Sequence, residues 1–279
     1  MSVVGRAAVR PVILHGESGR LFAVHVAPAA TGQVGAAALY VAPFAEELNR
    51  SRRMAALQAR AFAVEGVGTL LLDPFGTGDS NGDFADARLS GWLGDISAAA
   101  AWLERAGYTR LVLWGLRFGA LLACAAATNE PERFRRLILW QPVTSGNGML
   151  TQFLRIRVAA SMGGARETTK DLRERLKSGR SVEVAGYELS APLASALDGL
   201  QMQGLTLRPD TRVHWLEVAA GPGAQMATSA QHVIDSWRGR GIAVSAATVN
   251  GDPFWATQET TVVPELLTAT TAALLDGAA

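Results

Sequence analysis

Short β-rich runs alternate with helix-length amphipathic segments along nearly the whole chain, and this alternation restricts the fold more than any single residue does. The pattern belongs to an α/β class protein, a mostly parallel sheet flanked by helices. Val12–Leu14 and Leu21–Val26, separated by a Gly- and Ser-containing turn, read as an antiparallel hairpin at the sheet edge. Further strands are expected at Ala37–Val41, Val67–Leu72, Leu111–Trp114, Leu137–Trp140, Val213–Val218 and Ile242–Val249. Helices are expected at Arg50–Val64, Leu89–Arg105, from the glycines after Trp114 to about Thr128, at Ala227–Trp237 and at Val263–Leu275.

One region breaks the alternation. From Ser145 to Thr206 the chain turns helical and more polar, with a charged run at Arg166–Arg180 and a short strand expected at Val182–Tyr187. The division expected is therefore a core of residues 1–144 and 207–279, with 145–206 inserted as a helical lid or cap; a solvated helix pair is the other reading. The amphipathic stretch Leu150–Val158 suits either covering a cleft or docking a partner protein.

Composition removes several classes of function. A formal net charge of +1 in 279 residues argues against a nucleic-acid binder, and 49% hydrophobic with 18% charged residues excludes a disordered chain. The single cysteine, Cys124, excludes a disulfide framework and a thiolate metal cluster. No apolar run approaches the ~20 residues of a membrane span. Residues 1–10 lack the pattern of a signal peptide, so the cytoplasm is the expected location. No metal or cofactor motif is present.

Three motifs at strand ends define the fold more closely. Gly115-Leu-Arg117-Phe-Gly119 follows a buried strand and opens a helix, the frame of the G-x-S-x-G nucleophile elbow. Leu72-Asp-Pro-Phe-Gly-Thr-Gly-Asp79-Ser80 resembles the Asp-x-x-Gly-x-Gly-x-Ser turn of α/β-hydrolases, and Pro43–Glu47 stands where that fold places its oxyanion loop. In more detail, Ala42-Pro-Phe44-Ala-Glu46-Glu47-Leu-Asn49-Arg-Ser-Arg52-Arg53-Met54 resembles the Pro-Phe-x-Glu-Glu-x-Asn-x-Ser-Arg-Arg signature of the exosortase A system-associated hydrolases, second type. The elbow, Leu139–Val143 and Gly251–Trp255 are similar to the same group, so the resemblance spans about residues 10–275. It implies an α/β-hydrolase fold with a helical lid, and partners in the exosortase (PEP-CTERM) system that sorts exported proteins and makes exopolysaccharide. The group's hydrolase label rests on fold and supplies no mechanism.

The serine-hydrolase triad is not legible in the chain. Its order in this fold is nucleophile, acid, histidine. The nucleophile position holds Arg117, whose guanidinium stays protonated and cannot attack a carbonyl. No histidine follows His232, and the segment after the strand ending near Val218 reads Ala219-Ala-Gly-Pro-Gly223, with Glu217 expected inside the strand. His15, His25, His214 and His232 are expected to be structural, and Cys124 a core residue.

Arg117 suits anions instead. Its five-donor fork, beside the backbone N–H groups of Phe118 and Phe44, would bind a small acidic or acyl ligand, with Asp252 and Trp255 nearby. The structural alternative pairs Arg117 with Glu46 or Glu47. Glu46, Glu47 and Asp79 are the candidates for a non-triad acid–base site acting on an ester, thioester or other acyl substrate; Asp79 and Asp252 equally suit turns. Two functions stay open: an accessory or ligand-binding pseudoenzyme, and a hydrolase of unusual chemistry.

Overall fold

The computed structural model describes residues 7–29, 35–160, 167–221 and 225–276. Ten strands and eight helices occur among them. Strands β1 (Val9–His15) and β2 (Arg20–Val26) form the edge hairpin. They are followed by β3 (Ala36–Val41), α1 (Glu46–Val64), β4 (Gly68–Leu72), α2 (Leu89–Arg105), β5 (Arg110–Leu116), α3 (Phe118–Asn129) and β6 (Arg136–Trp140). After the 145–206 region come β9 (Arg212–Ala219), α7 (Thr228–Gly239), β10 (Ala243–Asn250) and α8 (Pro264–Leu275).

Eight strands form one sheet in the order β1-β2-β4-β3-β5-β6-β9-β10. β2 runs antiparallel to β1 and β4, and every other neighbouring pair is parallel. The central strands are apolar throughout because helices cover both faces. β3 and β5 are buried along nearly their full length, whereas edge strand β10 is mostly exposed. Helix α3 is apolar on all sides, and every residue from Phe118 to Ala127 is buried, Cys124 included. Burial pushes the Cys124 thiol pKa far up, which leaves it an inert core group.

Two expected elements differ. Helix α1 starts at Glu46, a turn earlier than Arg50, because its first turn is polar and carries Glu46 and Glu47 at the positive end of the helix dipole. The strand expected at Val182–Tyr187 is a hairpin of β7 (Val182–Val184) and β8 (Tyr187–Leu189), turned by Ala185 and Gly186, both at positive φ. The 145–206 region otherwise holds α4 (Gly146–Ala160), α5 (Thr169–Lys177) and α6 (Ala191–Asp198). Arg166, at the head of the charged run, lies outside the described residues, as do Pro222 and Gly223.

This region is joined to the rest by apolar burial. Leu150, Leu154, Leu172 and Leu193 belong to the same buried cluster as Leu113 of β5 and Leu121 of α3. The buried face of α4 therefore packs on the molecule, while Ile156 stays half exposed. Among the described residues no helix is long and apolar enough to cross a membrane.

Candidate functional site

The turn from β5 into α3 is tight enough to dictate its own sequence. A Cβ at Gly115 would stand 2.5 Å from Ala120 Cα, and one at Gly119 would stand 2.1 Å from the Val41 carbonyl oxygen of β3. Between them Arg117 adopts φ 55°, ψ −119°, a region that side-chain-bearing residues rarely occupy. Its peptide is held on both sides: the Arg117 N–H donates to Trp140 O (2.9 Å), and Val143 N–H donates to Arg117 O (3.2 Å). The strand-to-helix turn from β3 into α1 uses nearly the same backbone geometry, at Ala45 (φ 52°, ψ −127°).

The Arg117 guanidinium meets two groups. Its Nε donates to Glu47 Oε1 at 3.3 Å, and its Cζ lies 5.5 Å from the centre of the Trp255 ring. Both ionic partners are partly shielded, with side-chain exposures of 18% for Arg117 and 29% for Glu47. Burial raises the Glu47 carboxyl pKa, and the adjacent Arg117 charge only partly opposes it. Glu46 turns away from Arg117. Its carboxylate accepts from Asn49 Nδ2 and from the Tyr187 hydroxyl, each at 3.1 Å.

These contacts give the signature around Glu47 a physical reading. Arg52 Nη2 donates to buried Asp73 Oδ2 (3.0 Å), tying α1 to the turn after β4. Arg50 Nη1 donates to Ala256 O (2.6 Å), tying α1 to the loop after β10. Asn49 and Glu46 hold Tyr187 of the β7–β8 hairpin. Together with the Glu47–Arg117 pair, the first turns of α1 tie down four separate segments, of which the elbow and the hairpin border one spot.

That spot is a small cavity of about 110 Å³ beside Arg117. Phe44, Ala45, Glu46 and Glu47 form one side, and α4 and the hairpin form the other, with Phe153, Ile156 and Tyr187 among them. The Phe44 ring is fixed edge-on against Phe84, Phe118 and Phe153 at centroid distances of 5.0–5.6 Å. The cavity is thus apolar on most of its wall, with a guanidinium and two carboxylates among its lining residues.

The other residues singled out from sequence fall elsewhere. Asp79 is exposed, and its backbone N–H donates to Asp73 Oδ2 (3.1 Å); its carboxylate does not line the cavity. Gly78 next to it is required, since a Cβ there would lie 2.0 Å from that same oxygen. Asp252 is exposed in the loop after β10, also off the cavity. Ser80 is engaged structurally: it accepts from Phe22 N–H (2.8 Å) and donates to Asp73 O. Phe118 is buried, and among the described residues its backbone N–H at the start of α3 has no partner.

The histidines are dispersed. His25 Nε2 shares a hydrogen bond with the Tyr108 hydroxyl (2.9 Å), while His15 and His232 are exposed on β1 and α7. His214 is buried early in β9, 3.8 Å from Asp276. Glu217 lies inside β9, where its carboxylate accepts from Trp215 Nε1 (3.0 Å) and Ala227 N–H (3.2 Å).

Sheet order and the tight β5–α3 turn are those of the α/β-hydrolase fold, and comparison with solved structures agrees. The chain is similar to Est1E from Butyrivibrio proteoclasticus with ferulic acid bound (TM-score 0.68, 16% identity, covering 95% of this chain and 98% of that one). It is also similar to a highly thermostable carboxyl esterase from Bacillus coagulans in complex with glycerol (TM-score 0.66, 10% identity, 96% and 98% covered). A third likeness is to mouse alpha/beta hydrolase domain-containing protein 10 (TM-score 0.58, 14% identity, 97% and 100% covered). No family model matches the chain, and no curated protein matches it.

Proposed function

We propose that this protein is a non-hydrolytic binding protein on the α/β-hydrolase fold, a pseudoenzyme that holds a small carboxylate ligand beneath the 145–206 lid. The observation that carries this reading is Arg117 at the elbow position, its guanidinium lining an apolar cavity. A guanidinium cannot act as a nucleophile, but it forms paired, charge-assisted hydrogen bonds to a carboxylate. Ring walls from Phe44 and Phe153 suit an aromatic or short acyl body, and ferulic acid, found in the Est1E neighbour, has that chemistry. At about 110 Å³ the cavity suits a ligand of benzoate size, well below the roughly 300–1,000 Å³ of sites for drug-sized molecules.

The cellular role that goes with this is accessory, in the cytoplasm, beside the exosortase and exopolysaccharide machinery. The supporting observation is the Pro43–Arg53 signature, of which Phe44, Ala45, Glu46 and Glu47 line the cavity.

The second reading is hydrolysis of an ester or thioester by Glu46 or Glu47 chemistry, favoured by the esterases among the structural neighbours. A panel of aryl and short acyl esters and thioesters separates the two. The binding reading expects no turnover above buffer from folded wild-type protein. Turnover that is lost in Glu47→Gln, with folding retained, establishes the hydrolase.

A further inference from the structure

At the opposite edge of the sheet, a cavity of about 620 Å³ opens among the first residues of β3, β5, β6 and β9. Three of its lining residues are Arg110, Arg136 and Arg212, one from each of three adjacent strands. Register puts them on one face. Arg136 pairs directly with Arg212, and Leu113 pairs with Leu137, which sets Val112 beside Arg136 and places Arg110 two residues earlier on the same side. Three like charges are thereby gathered on one surface.

Among the described residues no carboxylate forms an ion pair with any of the three. Glu132 and Asp210, which also line the cavity, are taken by Arg135 and Arg208. Arg136 Nη2 donates to the Ala273 and Asp276 carbonyls at the end of α8, and its Nε is buried with no hydrogen-bond partner. Arg110 and Arg212 have no ion pair among the described residues. Glu65 is the one lining carboxylate left, against three guanidiniums. Burial lowers the Arg136 pKa, and the neighbouring Arg212 and Arg110 charges lower it further against the opposing pull of Asp276. Such repulsion costs stability unless an anion offsets it.

We propose that this edge cavity is a second binding site, independent of the elbow, that takes a small polyanion carrying two or more phosphate or carboxylate groups. Planar guanidiniums on adjacent strands suit several anionic oxygens at once.

The test titrates the full chain with pyrophosphate and, separately, citrate, following thermal unfolding and binding heat, with sodium chloride at matched ionic strength as reference. At least one polyanion is expected to bind and raise Tm beyond the salt reference, and the stronger arm names the anion type. Arg110→Gln combined with Arg212→Gln is expected to weaken that binding at least tenfold. The ligand-free double variant should melt no lower than wild type, since a repulsion has been removed, and Arg117→Ala should bind the polyanion as wild type does. Absence of binding to the wild type overturns the proposal, as does binding undiminished in the double variant. A ligand-free double variant that melts well below wild type would assign the arginines a structural role and also overturn it.

Discussion

Arg117→Ala is expected to weaken benzoate binding by about tenfold to a hundredfold, the equivalent of the ~1.5–3 kcal/mol of hydrogen bonds to a charged group. The substitution removes the cation that lines the cavity and leaves the Phe44 and Phe153 walls untouched. It also strands Glu47, which then loses its ion-pair partner, the Arg117 Nε at 3.3 Å, and keeps only the weaker influence of Arg50. Because Glu47 already has a raised pKa, it can take up a proton when stranded, so folding should survive. Glu47→Gln is expected to act in the opposite direction. In the wild type the carboxylate competes with the ligand for Arg117, and protonation ends that competition. Affinity for benzenesulfonate, whose own charge does not titrate, should therefore rise as pH falls through the Glu47 pKa, which burial raises from its ordinary value. Glu47→Gln should bind more tightly and lose this pH dependence. Calorimetric titration of the three proteins checks both signs.

Gly119→Ala is expected to be the most destabilising single methyl addition at the site. Its Cβ would stand 2.1 Å from Val41 O and 2.5 Å from Ala42 O, and both atoms are backbone that side-chain rotation cannot move aside. Relief requires the β3–α1 turn to separate from the elbow, which disturbs the strained Ala45 turn and the ring packing of Phe44. Overpacking of this kind costs about 3 kcal/mol or more, a fall in Tm on the order of 6–10 °C for a domain of this size. A thermal melt decides the matter: an unchanged Tm would mean that the elbow and the oxyanion loop are not in the close contact described.

The fold was legible because its signal is periodic. Buried parallel strands read as short apolar runs, and the glycines at 115 and 119 mark the one turn where no side chain fits. Helix α1 was read a turn short for a related reason. Its first residues, Glu46, Glu47, Asn49 and Arg50, make polar contacts to other segments and so carry no apolar period. The Arg117–Glu47 pair was visible only as one of two alternatives, because residues 70 apart meet through sheet order. Tyr187, Phe153 and Ile156 on the cavity wall were not identified as site residues. The amphipathic pattern of Leu150–Val158 was the available signal, and Tyr187 reaches the site through a hairpin that reads as a single strand. Asp79 and Asp252 illustrate the converse: position at a strand end fixes the edge a residue occupies, not the direction of its side chain.

The central claim is that Arg117 anchors a carboxylate beneath the lid, and a crystal structure of the protein grown with benzoate tests it most directly. The account predicts the carboxylate within hydrogen-bond distance of the Arg117 guanidinium, its ring against the wall that Phe44 and Phe153 form together, and the Glu47 bond to Arg117 broken or lengthened. Benzoate bound elsewhere, or a cavity without ligand and with the Arg117–Glu47 pair intact at saturating benzoate, would contradict it.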